Sequence, residues 1–225
     1  MYFSIASIFQ IIGFALFLAY MAVIIYSNAL LSGPEKNRFR NSFPYNFYIS
    51  QSMRLRIVSY ALLALSSLST IVGESFFLIS FSGSYMYLLA VMLPLSLLCL
   101  SVSNFLSLTF YKAHITLAFL GFVLFAVCSI LFGISYLIPS SMLYTDQVVQ
   151  PIFIIVLVIG IFMFLSLLNP KLLYWFRMDK TEEDGKTYYV KPKINFFAMY
   201  EWIFTIMEYL VSFLFLLNVV IKSVE

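Results

Sequence analysis

Charge is scarce in this sequence. Asp, Glu, Lys and Arg make up 10% of its 225 residues, against about a quarter in ordinary soluble domains. Histidine occurs once, at His114. That excludes any metal centre built on several imidazoles and the helical His-Glu-x-x-His type of catalyst. The two cysteines, Cys99 and Cys128, lie inside apolar runs and read as small hydrophobes, so they imply neither a disulfide framework nor a metal site. There is no Gly-rich phosphate loop and no Ser with a base partner in a recognisable pattern. His114 has no clustered acids around it of the kind a lipid-processing hydrolase needs. The sequence therefore points away from an enzyme and implies no cofactor. The net charge of +3 sits in two loops between apolar runs, so it reports membrane orientation or lipid contact and not a nucleic-acid surface.

What is present is apolar surface in excess: 63% of the positions are hydrophobic, too many for one soluble core. Runs near 4–28, 57–80, 84–109, 114–138, 149–168 and 195–221 are each long enough to cross a hydrocarbon core of about 30 Å. Lipid requires each backbone N–H and C=O to be satisfied within its own segment, and the period-two alternation of a barrel is missing. The expected fold is all-α: a polytopic membrane helical bundle with about six transmembrane helices, forming one domain over residues 1–225. The first run exceeds a signal-peptide core in length and is expected to be retained as a span. Short links at Phe81–Gly83 and Phe110–Ala113 make spans two, three and four antiparallel neighbours.

The loop Ser32–Arg56 carries Lys36, Arg38, Arg40, Arg54 and Arg56 against Glu35 alone. The loop Asn169–Lys193 carries six basic residues around Glu182, Glu183 and Asp184. With Lys112, 12 of the 13 basic residues share one side of a six-span chain, and the opposite loops hold only Asp146. The positive-inside rule would make that side cytoplasmic. Tyr45, Phe47, Tyr48, Tyr174 and Trp175 flank the same loops, as interfacial aromatics do. No Asn-x-Ser/Thr sequon occurs.

An ionisable side chain inside a span costs a few kcal/mol and is by default a functional candidate. Glu74 lies well inside span two. Glu201 and Glu208 lie seven apart on span six, hence on one face. Together they form a possible proton or cation path. Glu201, near the end of its span, is expected to reach water by snorkelling. Glu208, too deep for that, is expected to point inward toward groups such as Asn104, Ser101 or Tyr60 and to matter more than Glu201. Asn104 and His114, ten apart across a tight link, are expected at one membrane face, bonding each other or a lipid head group.

Leu100-Ser101-Val102-Ser103-Asn104-Phe105, followed by Ala113-His114, Ala118 and Phe122, resembles the DRAM/Frag/Sfk family of six-span membrane proteins, which includes damage-regulated autophagy modulator-like and CWH-type proteins. Glu208-Tyr209 with Ser212-Phe213 is similar to that family's Glu-Trp or Glu-Tyr pair and following Ser-Phe. Glu201-Trp202 is a competing match. Phe43-Pro44-Tyr45 and Ile49-Ser50 resemble the family's Pro-Tyr-Ile-Ser-Asp segment, with Gln51 in place of the acid. The resemblance implies a role without a shared catalytic centre: autophagy at lysosomes, lipid-anchor remodelling at the Golgi, or organisation of plasma-membrane lipids. The partners would be membrane lipids, at an endomembrane (lysosome or Golgi) or the plasma membrane. It also implies cytoplasmic termini, the reverse of the orientation the charges favour.

Overall fold

The computed structural model describes residues 2–31, 37–80, 84–106, 110–135, 150–174, 179–183, 186–190 and 194–224. Its order is α1 (Tyr2–Ala29), α2 (Pro44–Ile49), α3 (Met53–Ile79), α4 (Ser84–Phe105), α5 (Tyr111–Ser135), α6 (Gln150–Leu167), a 3-10 turn (Pro170–Tyr174), strands β1 (Asp179–Glu183) and β2 (Lys186–Val190), and α7 (Phe196–Val224). Among the described residues five helices, within α1, α3, α4, α5 and α7, are long and apolar enough to cross a membrane. The sixth, α6, has 18 residues, about 27 Å at 1.5 Å per residue, and its apolar part runs Pro151–Leu167. The chain is therefore a multi-pass helical bundle, as its composition requires.

The helices pack in chain order, α1 on α3, α3 on α4, α4 on α5 and α5 on α6, and α7 touches all five of these. This central position gives α7 its run of buried residues on several faces, from Phe197 to Leu216. Small residues permit the closest approaches. A Cβ on Gly13 would come within 3.0 Å of the Thr70 backbone nitrogen, and one on Gly160 within 2.7 Å of the Ile130 nitrogen. Small residues at helix contacts are how membrane helices gain packing, since burial from lipid itself gains little. Pro94 interrupts the hydrogen-bond ladder inside α4 and so frees the Ala90 carbonyl four residues back. Ser75 of α3 donates to that oxygen at 3.2 Å.

Helix ends differ from the sequence expectation where charge or polarity was taken as a boundary. The third helix starts at Met53 and carries Arg54 and Arg56 within it, because long basic side chains extend back toward water while their backbone stays helical. The link between α4 and α5 is 106–110, not Phe110–Ala113. The hairpin was not foreseen. Its strands pair antiparallel with Asp179 opposite Val190 and Glu183 opposite Lys186, and Asp184-Gly185 between them is a sequence signal for a two-residue turn. The link Phe81–Gly83, the loop with Asp146, and Trp175, Arg177, Asp184, Lys191 and Lys193 lie outside the described residues.

Candidate functional site

Polar side chains gather in three layers along the bundle. The outermost is built on the first loop. Proline at its first turn presets α2 for helix, and the Phe43 N–H donates to Asn46 Oδ1 at 3.0 Å. Asn28 and Asn37 exchange two bonds, at 2.8 and 3.0 Å. Gln51 donates to Ser27 at 2.8 Å and accepts from Ser59 at 3.0 Å, a double role that a carboxylate in its place could not fill. Arg56 Nε donates to the Tyr48 carbonyl at 2.9 Å. The Tyr48 hydroxyl meets that of Tyr20 at 2.7 Å, and burial pushes the Tyr48 hydroxyl's pKa well above its ordinary value. These bonds stitch the end of α1, α2 and the start of α3 into one cap.

The cap is tied to α7. Trp202 Nε1 donates to the Ser42 carbonyl at 3.0 Å, with Phe39 and Phe47 edge-on to its ring at 4.8 and 5.3 Å, and Asn195 N–H donates to Arg40 O at 2.9 Å. The first loop and the start of α7 therefore share one end of the bundle. His114 lies at that end too: its Nδ1 is 3.3 Å from Leu106 O and its ring stands edge-on to Phe43 at 5.4 Å. On its other side, Nε2 is 3.2 Å from Glu201 Oε1, although the angle falls outside hydrogen-bond geometry. A carbonyl only accepts, so Nδ1 carries a proton. The Nε2–carboxyl contact is an ion pair only when the imidazole carries a second proton. Glu201 Oε1 also accepts from Ser103 at 3.0 Å.

Glu201 is thus fully buried, and the expected snorkelling does not occur: α7 is central at this depth, and the cap and α5 cover the side chain. Asn104 and His114 do lie at the same end of the bundle, but His114 turns to Glu201, and Asn104 Oδ1 is buried without a partner.

The second layer joins α1, α3, α4 and α7 through hydroxyls. Ser66 lies 2.9 Å from Gly13 O and 2.8 Å from Tyr209 OH. With one proton, it donates to the carbonyl and accepts from the tyrosine. Ser67 meets Ser101 at 2.7 Å and Tyr209 at 3.1 Å. The Tyr209 ring stacks on Phe17 at 3.8 Å.

The third layer holds Glu208 and Glu74, both fully buried. Glu208 points inward and accepts from Ser96. Its partner is neither Asn104, Ser101 nor Tyr60: Ser101 is engaged by Ser67, and Tyr60 packs on Tyr48 and Phe105. The two carboxyls are close enough to interact. Ser212 lies near Glu74, yet no bond of ordinary geometry forms, and both oxygens of Glu74, Oε2 of Glu208 and the Ser212 hydroxyl remain unpartnered. Gln10 of α1, packed over Gly73, is likewise unpartnered at both polar atoms. Among the described residues, no three His, Cys, Asp or Glu side chains come together as a metal centre.

Sequence reasoning did not single out Ser96 or Gln10, and it gave Ser103, the Tyr209 hydroxyl and Trp202 no bonding role. One signal was present: Ser96 and Ser103 are seven apart on α4, as Glu201 and Glu208 are on α7.

These layers and the apolar outer surface define a multi-pass integral membrane protein with a polar interior. Comparison with family models, curated proteins and solved structures finds no match to this chain.

Proposed function

We propose that this chain is a non-catalytic membrane protein of the DRAM/Frag/Sfk type that acts on the organisation of membrane lipids, in the endomembrane system or at the plasma membrane. One observation carries the reading. The α4 and α5 stretches of the resemblance pack against α7 at the competing match, Glu201-Trp202, and not at Glu208-Tyr209. Ser103 and His114 both contact Glu201, Ala118 and Phe122 are fully buried, and Phe122 packs on Phe204 at 4.4 Å. Packing of these motif residues against one another supports the reading, because a pattern kept for helix packing would bring its members together. The outer faces, with Ile8, Leu18, Val91 and Phe162 exposed, leave lipid as the surrounding partner. Comparing membrane lipid composition and distribution in cells with and without the protein tests this. A change restored by the wild-type chain is expected, and identical profiles would overturn it.

A second reading, proton or cation passage, is favoured by the unpartnered oxygens of Glu74 and Glu208 deep in the bundle. Flux through liposomes containing the purified chain, abolished by Glu208→Gln, is its expected signature. Impermeable liposomes would remove it.

A further inference from the structure

We propose that a groove on the outside of α5 binds one acyl chain of an anionic phospholipid, whose head group is held by Lys112 and Lys171; this gives the lipid reading above a particular lipid and place. The groove has a volume of about 590 Å³, within the range of small-molecule sites. Its floor is the stripe Ile115, Thr116, Phe119, Leu120 and Val123, which falls on one helical face by its spacing. Its wall is Leu172 of the 3-10 turn after α6 and Phe197 from the first turn of α7.

A flat apolar helix face in a bilayer meets exchanging lipid. This one is concave and bounded by three separate elements, and a lysine precedes both its first floor residue and its first wall residue in the chain. Lys112 is exposed one turn before Ile115 and Thr116, so its stem rises from the same face. Lys171 precedes Leu172, and its ammonium stands 5.1 Å over the ring of Phe196, the neighbour of Phe197. Among the described residues neither lysine meets an acidic side chain.

Depth agrees with charge. The floor runs from Ile115 to Val123, eight helical steps or about 12 Å, which is less than half of a hydrocarbon core of about 30 Å. It starts at the end of the bundle that carries the cap, so an acyl chain lying in it stays within one leaflet and emerges beside the two ammoniums. That is the basic end, and by the positive-inside rule it meets the leaflet where anionic lipids concentrate. A partner helix would find only two turns of floor there. A neutral lipid would leave both lysines unused.

The test is native mass spectrometry of the full chain in detergent, titrated with phosphatidylglycerol and, separately, with phosphatidylcholine of the same acyl chains. The first phosphatidylglycerol is expected to bind at least tenfold more tightly. Lys112→Gln and Lys171→Gln should each weaken it about fivefold, the worth of one basic side chain at an anionic surface. Leu120→Trp, at an exposed position, should fill the groove and weaken both lipids. Equal affinity for the two lipids overturns the proposal, as does retention unaffected by the double lysine variant or by Leu120→Trp. An unaltered cellular lipid profile without the protein would sink the functional reading and leave this binding result standing.

Discussion

Glu201 and Glu208 stand on one face of α7, and each takes a serine from α4, yet the two environments differ. At the bundle's end, Glu201 has an imidazole 3.2 Å away and a cap anchored by Trp202 above it. Seven residues deeper, Glu208 has a second acid nearby and no cation among the described residues. The first layer is knit by bonds between the cap, α3 and α7, and its members depend on one another, although Asn104 Oδ1, His114 Nε2 and Glu201 Oε2 at that end also lack hydrogen-bond partners. The third layer, with Glu208, is held in place by the helices around it and leaves both oxygens of Glu74, Glu208 Oε2 and the Ser212 hydroxyl unpaired. A buried polar group stabilises a fold when its removal would strand partners, and it is dispensable to stability when those partners have other bonds. The layer near the membrane face is therefore structural. The mid-membrane layer is where function that needs an ionisable group would reside.

The largest effect is expected at Trp202, because it joins the cap to the central helix. Trp202→Ala removes the bond to Ser42 and the edge-on contacts with Phe39 and Phe47. It should cost about 3–5 kcal/mol, as large aromatic truncations in cores do. Thermal unfolding in detergent measures it. A near-normal midpoint would mean that the cap holds without α7 and that the outer layer is not one unit.

Next comes Glu201. Glu201→Leu strips His114 Nε2 of its acidic neighbour, at a cost of about 1–3 kcal/mol for a buried polar group left unsatisfied, while Ser103 keeps the Leu100 carbonyl at 2.7 Å. Glu201→Gln keeps an acceptor for Ser103 and should cost less than about 1 kcal/mol. If Leu and Gln proved equally mild, the imidazole would have another partner and the contrast between the layers would weaken.

Much of this arrangement was legible in the sequence. Scarcity of charge and six apolar runs led to the membrane bundle, and the link between spans three and four placed Asn104 and His114 together. The heptad match of Ser96 and Ser103 to Glu208 and Glu201 was also legible: 96 and 208 sum to 304, as do 103 and 201, the register of two antiparallel helices. It was passed over because serines in membrane helices usually bond their own backbone, as Ser96 also does to Leu93 O at 2.5 Å. The burial of Glu201 was not legible. It depends on a loop of short helix and turns folding back over the bundle, and no periodicity encodes that.

The smallest stability effect is expected at Glu208, the reverse of the ranking that depth alone recommends. Glu208→Leu removes an acceptor from Ser96, but Ser96 retains the Leu93 carbonyl, so no donor is stranded. The variant also removes a buried carboxyl from beside Glu74, and it fills a similar volume with an apolar side chain. Replacing a buried ionisable group in this way is often neutral or stabilising. The unfolding midpoint should therefore stay level or rise. Glu208→Gln should behave alike, since its amide can serve Ser96 while offering N–H donors to the unpartnered oxygens of Glu74. Measured beside Glu201→Leu in one detergent, Glu208→Leu should unfold at the higher temperature. If it lost as much stability as Glu201→Leu, Glu208 would have a partner that binds it in the folded state, and both layers would be structural.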